Sequence, residues 1–237
     1  MSDILQIMLY AGLAGVAIPI GGLLARVEHL GPDWLENEFR HFVIAFGGGI
    51  LLGAVSLVLV PEGLKGMDMP ALAIITIVLG GLCFFAIERA MGLRRRESPQ
   101  LMGMMLDYIP EAIALGGLMA TGSPTAVLMA LLIGLQNLPE GFNAYRELNQ
   151  ISANARRSLR IMYAFVPLGP IAGLLGYLFL GDAPGILGGI MLFASGGILY
   201  LIFQDIAPQS RLDKHWAPPL GAVMGFCLAL AGTMLSH

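Results

Sequence analysis

The sequence predicts an all-α, polytopic membrane protein, a bundle of eight transmembrane helices forming a single membrane domain over residues 1–237. Three observations carry this reading. Hydrophobic residues make up 57% of the chain and charged ones 12%, against roughly 45–50% and 25% in average soluble domains. The mean hydropathy is +0.78. Apolar runs close to the ~20 residues that cross a bilayer as a helix follow one another without strand-like alternation. Lipid admits only helices or closed barrels, and these runs are too long for barrel strands. The composition excludes a soluble globular protein, a disordered chain and a nucleic-acid binder.

The spans are read in order. The first covers 3–25; Ser2 and Asp3 stand where a signal peptide would be basic, so this span is expected to be retained. The polar stretch Arg26–Arg40 leads to the second, 41–64, and Gly66-Met67-Asp68-Met69-Pro70 turns the chain into the third, 70–90. Arg94-Arg95-Arg96 precedes the fourth, 100–121, and Thr121-Gly122-Ser123-Pro124 opens the fifth, 124–145. A polar stretch around Glu147–Arg160 separates it from the sixth, 159–181; Gly181-Asp182-Ala183-Pro184 leads to the seventh, 184–208, and Arg211–Lys214 to the eighth, 216–236. Cys83 and Cys227 lie inside apolar runs, which implies neither a disulfide framework nor a thiolate metal site. Odd-numbered connections hold twelve of the thirteen basic residues, and the other side holds only Lys65. Basic connections stay cytoplasmic, so both termini are expected outside.

Most ionisable residues sit at span ends, where they reach water. Asp107-Tyr108-Ile109-Pro110-Glu111 in the fourth span and Gln136-Asn137-Leu138-Pro139-Glu140 in the fifth are the exceptions. A charge at mid-depth costs about 2.5–3.5 kcal/mol on insertion scales. Three carboxylates without a nearby Lys or Arg must bind a cation, take up protons or face water. Asp107 and Glu111 are four residues apart, as are Gln136 and Glu140, so each pair projects from one helix face. Two such helices face to face would form an oxygen cage for a divalent metal. Pro110 and Pro139 each remove a backbone donor, so kinks and free carbonyls are expected at the cage. Midplane ligands on discontinuous helices are a common architecture of ion transporters.

These motifs resemble those of the ZIP family of divalent metal transporters. Gln136-Asn137-Leu138-Pro139-Glu140-Gly141 is similar to the family's fifth-span motif, and Pro110-Glu111 to the end of its fourth-span His-Asn-x-Pro-Glu-Gly. Weaker likenesses are Leu59-Val60-Pro61-Glu62-Gly63-Leu64 in the second span, Val166-Pro167-Leu168-Gly169 in the sixth and Gln204-Asp205-Ile206-Ala207-Pro208-Gln209 in the seventh. The resemblance implies a 3+2+3 inverted repeat and a carrier in a bacterial inner membrane that moves zinc or iron into the cytoplasm, to which the oxygen-only ligand set adds manganese. Its implied ligands are Asp107, Glu111, Gln136 and Glu140, with Tyr108, Asn137, Asp205 and Glu62 as secondary candidates. No prosthetic group is implied; the partners are the cation and the bilayer, no nucleic acid is expected, and a homodimer is compatible with the sequence.

The departures from the family pattern are Asp107 for His, Tyr108 for Asn and Val166 for Glu. Members with two metals use that Asn and that Glu for the second ion, so one ion is expected here. All-oxygen donors move preference from zinc toward manganese. Glu62 can recruit cations at the outer mouth or serve as a cap, Asp205 can act as an inner-gate acid, Asn143 extends the polar path, and His41 and His215 are interfacial. The scattered methionines fit lipid-facing and core positions as well as a soft-metal path. A transport-incompetent sensor or structural subunit is the rival reading, motivated by the same departures. An intramembrane carboxylate enzyme is disfavoured, since no His or nucleophile accompanies the acids. Without a phosphate-binding G-x-x-x-x-G-K-[ST] motif, metal or proton gradients must drive any transport.

Overall fold

A computed structural model describes residues 2–28, 38–93, 99–152, 154–213 and 215–236. Arg94, Arg95, Arg96, Lys214 and most of the first connection lie outside the described residues. The helices are α1 (Asp3–Val27), α2 (Arg40–Lys65), α3 (Pro70–Ala90), α4 (Leu101–Ala120), α5 (Thr125–Ile151), α6 (Ala155–Leu180), α7 (Pro184–Gln209) and α8 (Leu220–Leu235). Among the described residues the first seven are long and apolar enough to cross a membrane, and α8 is a shorter apolar helix. The only extended pairing among them is an isolated bridge between Leu212 and His215. The chain is thus an all-helical, polytopic membrane protein, as its composition required. Cys83 and Cys227 are free thiols.

Helix ends differ from the expectation in one region. The fifth helix was expected to stop near 145, yet α5 runs to Ile151 and α6 begins at Ala155. The polar residues after Tyr145 continue the helix beyond the apolar stretch. Asn154 then stops and restarts the chain: its side chain accepts the Arg157 backbone N–H at 3.1 Å, capping α6. Between α4 and α5 the turn is made by Gly122 at φ 66°, a conformation that only glycine adopts freely.

Irregular turns occur where the sequence reading did not place them. Helical geometry runs through both Pro110 and Pro139. Departures occur instead in α2 and α7, as π turns at Val55–Leu59 and Ile202–Ile206. Pro61 and Pro208 lie just beyond these turns and lack the N–H that would bond the carbonyl four residues back. The ladder shifts by one residue to compensate, so that the Val60 N–H bonds the Val55 carbonyl and the Ala207 N–H that of Ile202. A third interruption splits α6 at Val166-Pro167 into segments Ala155–Phe165 and Leu168–Leu180.

Four close helix pairs build the bundle: α1 with α5, α4 with α6, α2 with α8 and α3 with α7. Each is made on small residues. A Cβ on Gly21 or Gly141 would run into the backbone across the α1–α5 contact, and one on Gly116 or Gly176 across α4–α6. Gly49 and Gly225 play that part between α2 and α8, and Gly80 and Gly196 between α3 and α7. In lipid, where apolar burial between helices gains little, such close backbone approach supplies the dispersion that holds them. Helices α1, α4, α5 and α6 contact one another; α2 links α7 and α8, α3 packs on α7, and the two groups meet chiefly through α2 on α5 and α4 on α7. α3 is the most peripheral span, with Ile74, Val78 and Leu82 exposed along its length. The site-bearing α4 and α5 lie together at the centre.

Candidate metal centre

The periodicity that marked the two motifs places their polar residues inside the bundle. Glu111, Gln136 and Asn137 are completely buried, Asp107 is 3% exposed and Glu140 8%. Asn143, one turn beyond Glu140, is buried as well. The side-chain amide of Gln136 donates to Glu111 Oε2, tying α5 to α4. The three carboxylates stand close enough for Glu140 to interact electrostatically with both Asp107 and Glu111. None of the three has a basic partner among the described residues.

The notable feature of this cluster is its shortage of donors. Asp107 Oδ1, Glu111 Oε1, Gln136 Oε1, Asn137 Oδ1, both oxygens of Glu140 and Asn143 Oδ1 are buried without a hydrogen-bond partner. Each buried polar group left unpaired costs about 1–3 kcal/mol. A concentration of unpaired acceptors requires an explanation, and a bound cation or protons are the species that could satisfy oxygens alone. Among the described residues, no group of three or more His, Cys, Asp and Glu side chains is drawn together closely enough to hold a metal by itself.

A small cavity adjoins the cluster. It has a volume of about 20 Å³ and is lined by Asp107, Glu140 and Asp205 together with Gly103, Met104, Leu201 and Ile206. This is room for about one water molecule. Asp205 sits in the π turn of α7, so the shifted ladder helps to aim it at α4 and α5. Glu88 of α3 interacts electrostatically with Asp205 and with Tyr200. Sequence reading missed Glu88, because an acid beside Arg89 at a span end has the pattern of a residue reaching for water.

Other candidates have different surroundings. Glu62 accepts from Lys65 Nζ at 2.7 Å and from Thr125 Oγ1 at 3.1 Å. Its negative charge thus meets the first residue of α5, where a helix dipole favours an anion. Tyr108 does not face the cavity; its hydroxyl points to the Ala11 carbonyl at 3.4 Å. Asn137 donates through Nδ2 to the Ala14 carbonyl at 2.9 Å. His215 pairs with Glu38 at 3.0 Å on the connection after α7.

No protein-family model matches the chain. The zinc transporter ZupT of Shigella flexneri is 25% identical over 259 residues of alignment, covering 93% of this chain and 95% of that protein. The zinc transporter ZupT of Escherichia coli O81 (strain ED1a) is 25% identical over 260, covering 94% and 95%. Both relatives are named as transporters, not as enzymes. Over nearly its whole length the chain is a homologue of the ZupT transporters, and its resemblance to the ZIP family therefore extends beyond the isolated motifs to the full sequence.

Proposed function

We propose that this chain carries a divalent metal cation across the bacterial inner membrane into the cytoplasm, binding it between α4 and α5 through Asp107, Glu111, Gln136 and Glu140. The observation that carries the proposal is the group of five buried oxygens without donors that these four side chains hold. The naming of the aligned relatives as zinc transporters supports zinc as one cargo. The donor set contains oxygen and no imidazole, which favours manganese and ferrous iron more than a histidine site would. Metal can bind only as the carboxylates give up protons, so loading is coupled to proton release. The cavity beside Asp107 and Glu140 gives Asp205 the part of a relay on the cytoplasmic side, the side assigned by the basic residues.

The architecture proposed is eight spans in one membrane domain, with both termini outside and α8 as the eighth span. An inverted 3+2+3 repeat is supported by the packing. Exchanging α1 with α6, α2 with α7, α3 with α8 and α4 with α5 carries each of the four close pairs onto another. The same exchange carries one π turn onto the other, each with its following proline.

Uptake into liposomes by the purified protein tests the proposal. Wild-type protein is expected to take up zinc, and folded Glu140→Ala or Glu111→Ala protein to take up none. Wild-type uptake by folded Glu140→Ala would overturn the assignment. Binding of metal without uptake would favour the rival sensor reading.

A further inference from the structure

We infer that Tyr108 and Asn137 are positioning residues, which set the spacing of the metal donors by docking α4 and α5 onto one turn of α1. The inference rests on the metal site proposed above. Tyr108 follows Asp107 and Asn137 follows Gln136, so the two occupy matching places in the motifs. Each donates to α1, although Asn137 Oδ1 itself stays buried and unpaired. The Tyr108 hydroxyl donates to the Ala11 carbonyl at 3.4 Å, and Asn137 Nδ2 to the Ala14 carbonyl at 2.9 Å. Ala11 and Ala14 are three residues apart, and so lie on one face within a single turn. One short stretch of backbone thereby holds both helices that carry donors.

The surroundings are shaped for these side chains. Tyr108 is 1% exposed. A Cβ on Gly15 would come to 2.5 Å from its hydroxyl, and one on Gly169 would strike the same oxygen. Gly169 belongs to the first turn of the second segment of α6, just after the break at Val166-Pro167. Tyr108 therefore bonds α4 to α1 and packs closely against this turn of α6. For Asn137, the bond made by Nδ2 fixes the orientation of the amide. The nitrogen is committed to α1, so the function of this side chain depends on its being an amide and not merely an oxygen donor.

Ligand and positioning roles make opposite predictions for Asn137→Asp. A ligand at 137 would keep its oxygen and gain charge, so metal would bind as tightly or more so. A positioning residue would lose its only donor and set a carboxylate against the Ala14 carbonyl. Groups that orient metal ligands typically change affinity by about 10–100-fold when altered. Zinc and manganese binding would be measured by calorimetry on purified wild type, Asn137→Asp and Tyr108→Phe, with apo melting temperatures alongside. The expected result is a loss of about tenfold or more in affinity in each variant, equal for the two metals, at an unchanged one ion per chain. Undiminished affinity in either variant, a second bound ion, or an altered zinc-to-manganese ratio would overturn the inference. So would a drop in melting temperature with wild-type affinity. Glu140→Ala separates the two levels: if it binds zinc as the wild type does, the site itself is misplaced, whatever Tyr108 and Asn137 do.

Discussion

Replacing Glu140 with leucine should make the metal-free protein more stable while removing its response to metal. Both carboxylate oxygens of Glu140 are buried without a partner, and the side chain is only 8% exposed. A buried polar atom without a partner costs about 1–3 kcal/mol. Leucine has a similar volume and no such atoms, and the adjoining cavity of about 20 Å³ leaves it room. Glu140→Leu should therefore gain about 2 kcal/mol or more in the apo state. For a chain of this length that is roughly 4–8 °C in melting temperature. Zinc at a hundred times its dissociation constant should add about 2.7 kcal/mol to the wild type, and nothing to the variant. Thermal melting in detergent, with chelator and then with zinc, reads both effects. The order of stability should narrow or reverse on adding zinc. A metal-free variant less stable than wild type would mean that Glu140 is a satisfied structural group, and an equal zinc-induced shift in both proteins would place the metal elsewhere.

Three further outcomes are expected. Asp107→His should move preference toward zinc over manganese, because imidazole suits the later divalent metals; an unchanged competition ratio would separate Asp107 from the ion. Zinc affinity should fall as pH falls, since protons compete for the carboxylates, and calorimetry in buffers of different ionisation enthalpy should detect proton release on binding; pH-independent binding would exclude carboxylate ligands. A cysteine at Gly92 should react with reagents only from the cytoplasmic side and one at His237 only from outside, with labelling from one side disproving the span count.

Much of the fold was legible because lipid leaves few choices. Length and apolarity alone locate seven spans, and the two motifs stand out as polar residues where polarity is costly. What was not legible follows from backbone effects that side-chain patterns do not encode. Pro110 and Pro139 lie inside continuous helices, while π turns that no side-chain pattern announced precede Pro61 and Pro208. A proline states only that one N–H is missing; neighbouring helices decide how the ladder adapts. The extent of α5 was underestimated, because hydropathy detects the membrane and not the helix, which continues past Tyr145 to Ile151.

The site divides in the same manner. Spacing of four residues brought Asp107, Glu111, Gln136 and Glu140 onto facing helices, and all four are buried there. Spacing could not tell which neighbours turn away. Tyr108 and Asn137 are adjacent to donors in sequence but are directed at α1, a helix more than ninety residues distant along the chain. Glu62 lies in a motif-like segment yet is engaged by Lys65 and Thr125. Glu88 had no motif to mark it, and its relation to Asp205 depends on the contact of α3 with α7.

The most direct test of the account is the position of a bound ion. Anomalous diffraction at the zinc edge from crystals of the zinc-loaded protein would give it without any assumption about ligands. The account predicts one peak within the bundle, between α4 and α5 and within bonding distance of Glu111 and Glu140, with Asp107 and Gln136 completing the shell. A sole bundle peak elsewhere, for example at Asp205 and Glu88, or two peaks at the α4–α5 site, would contradict it.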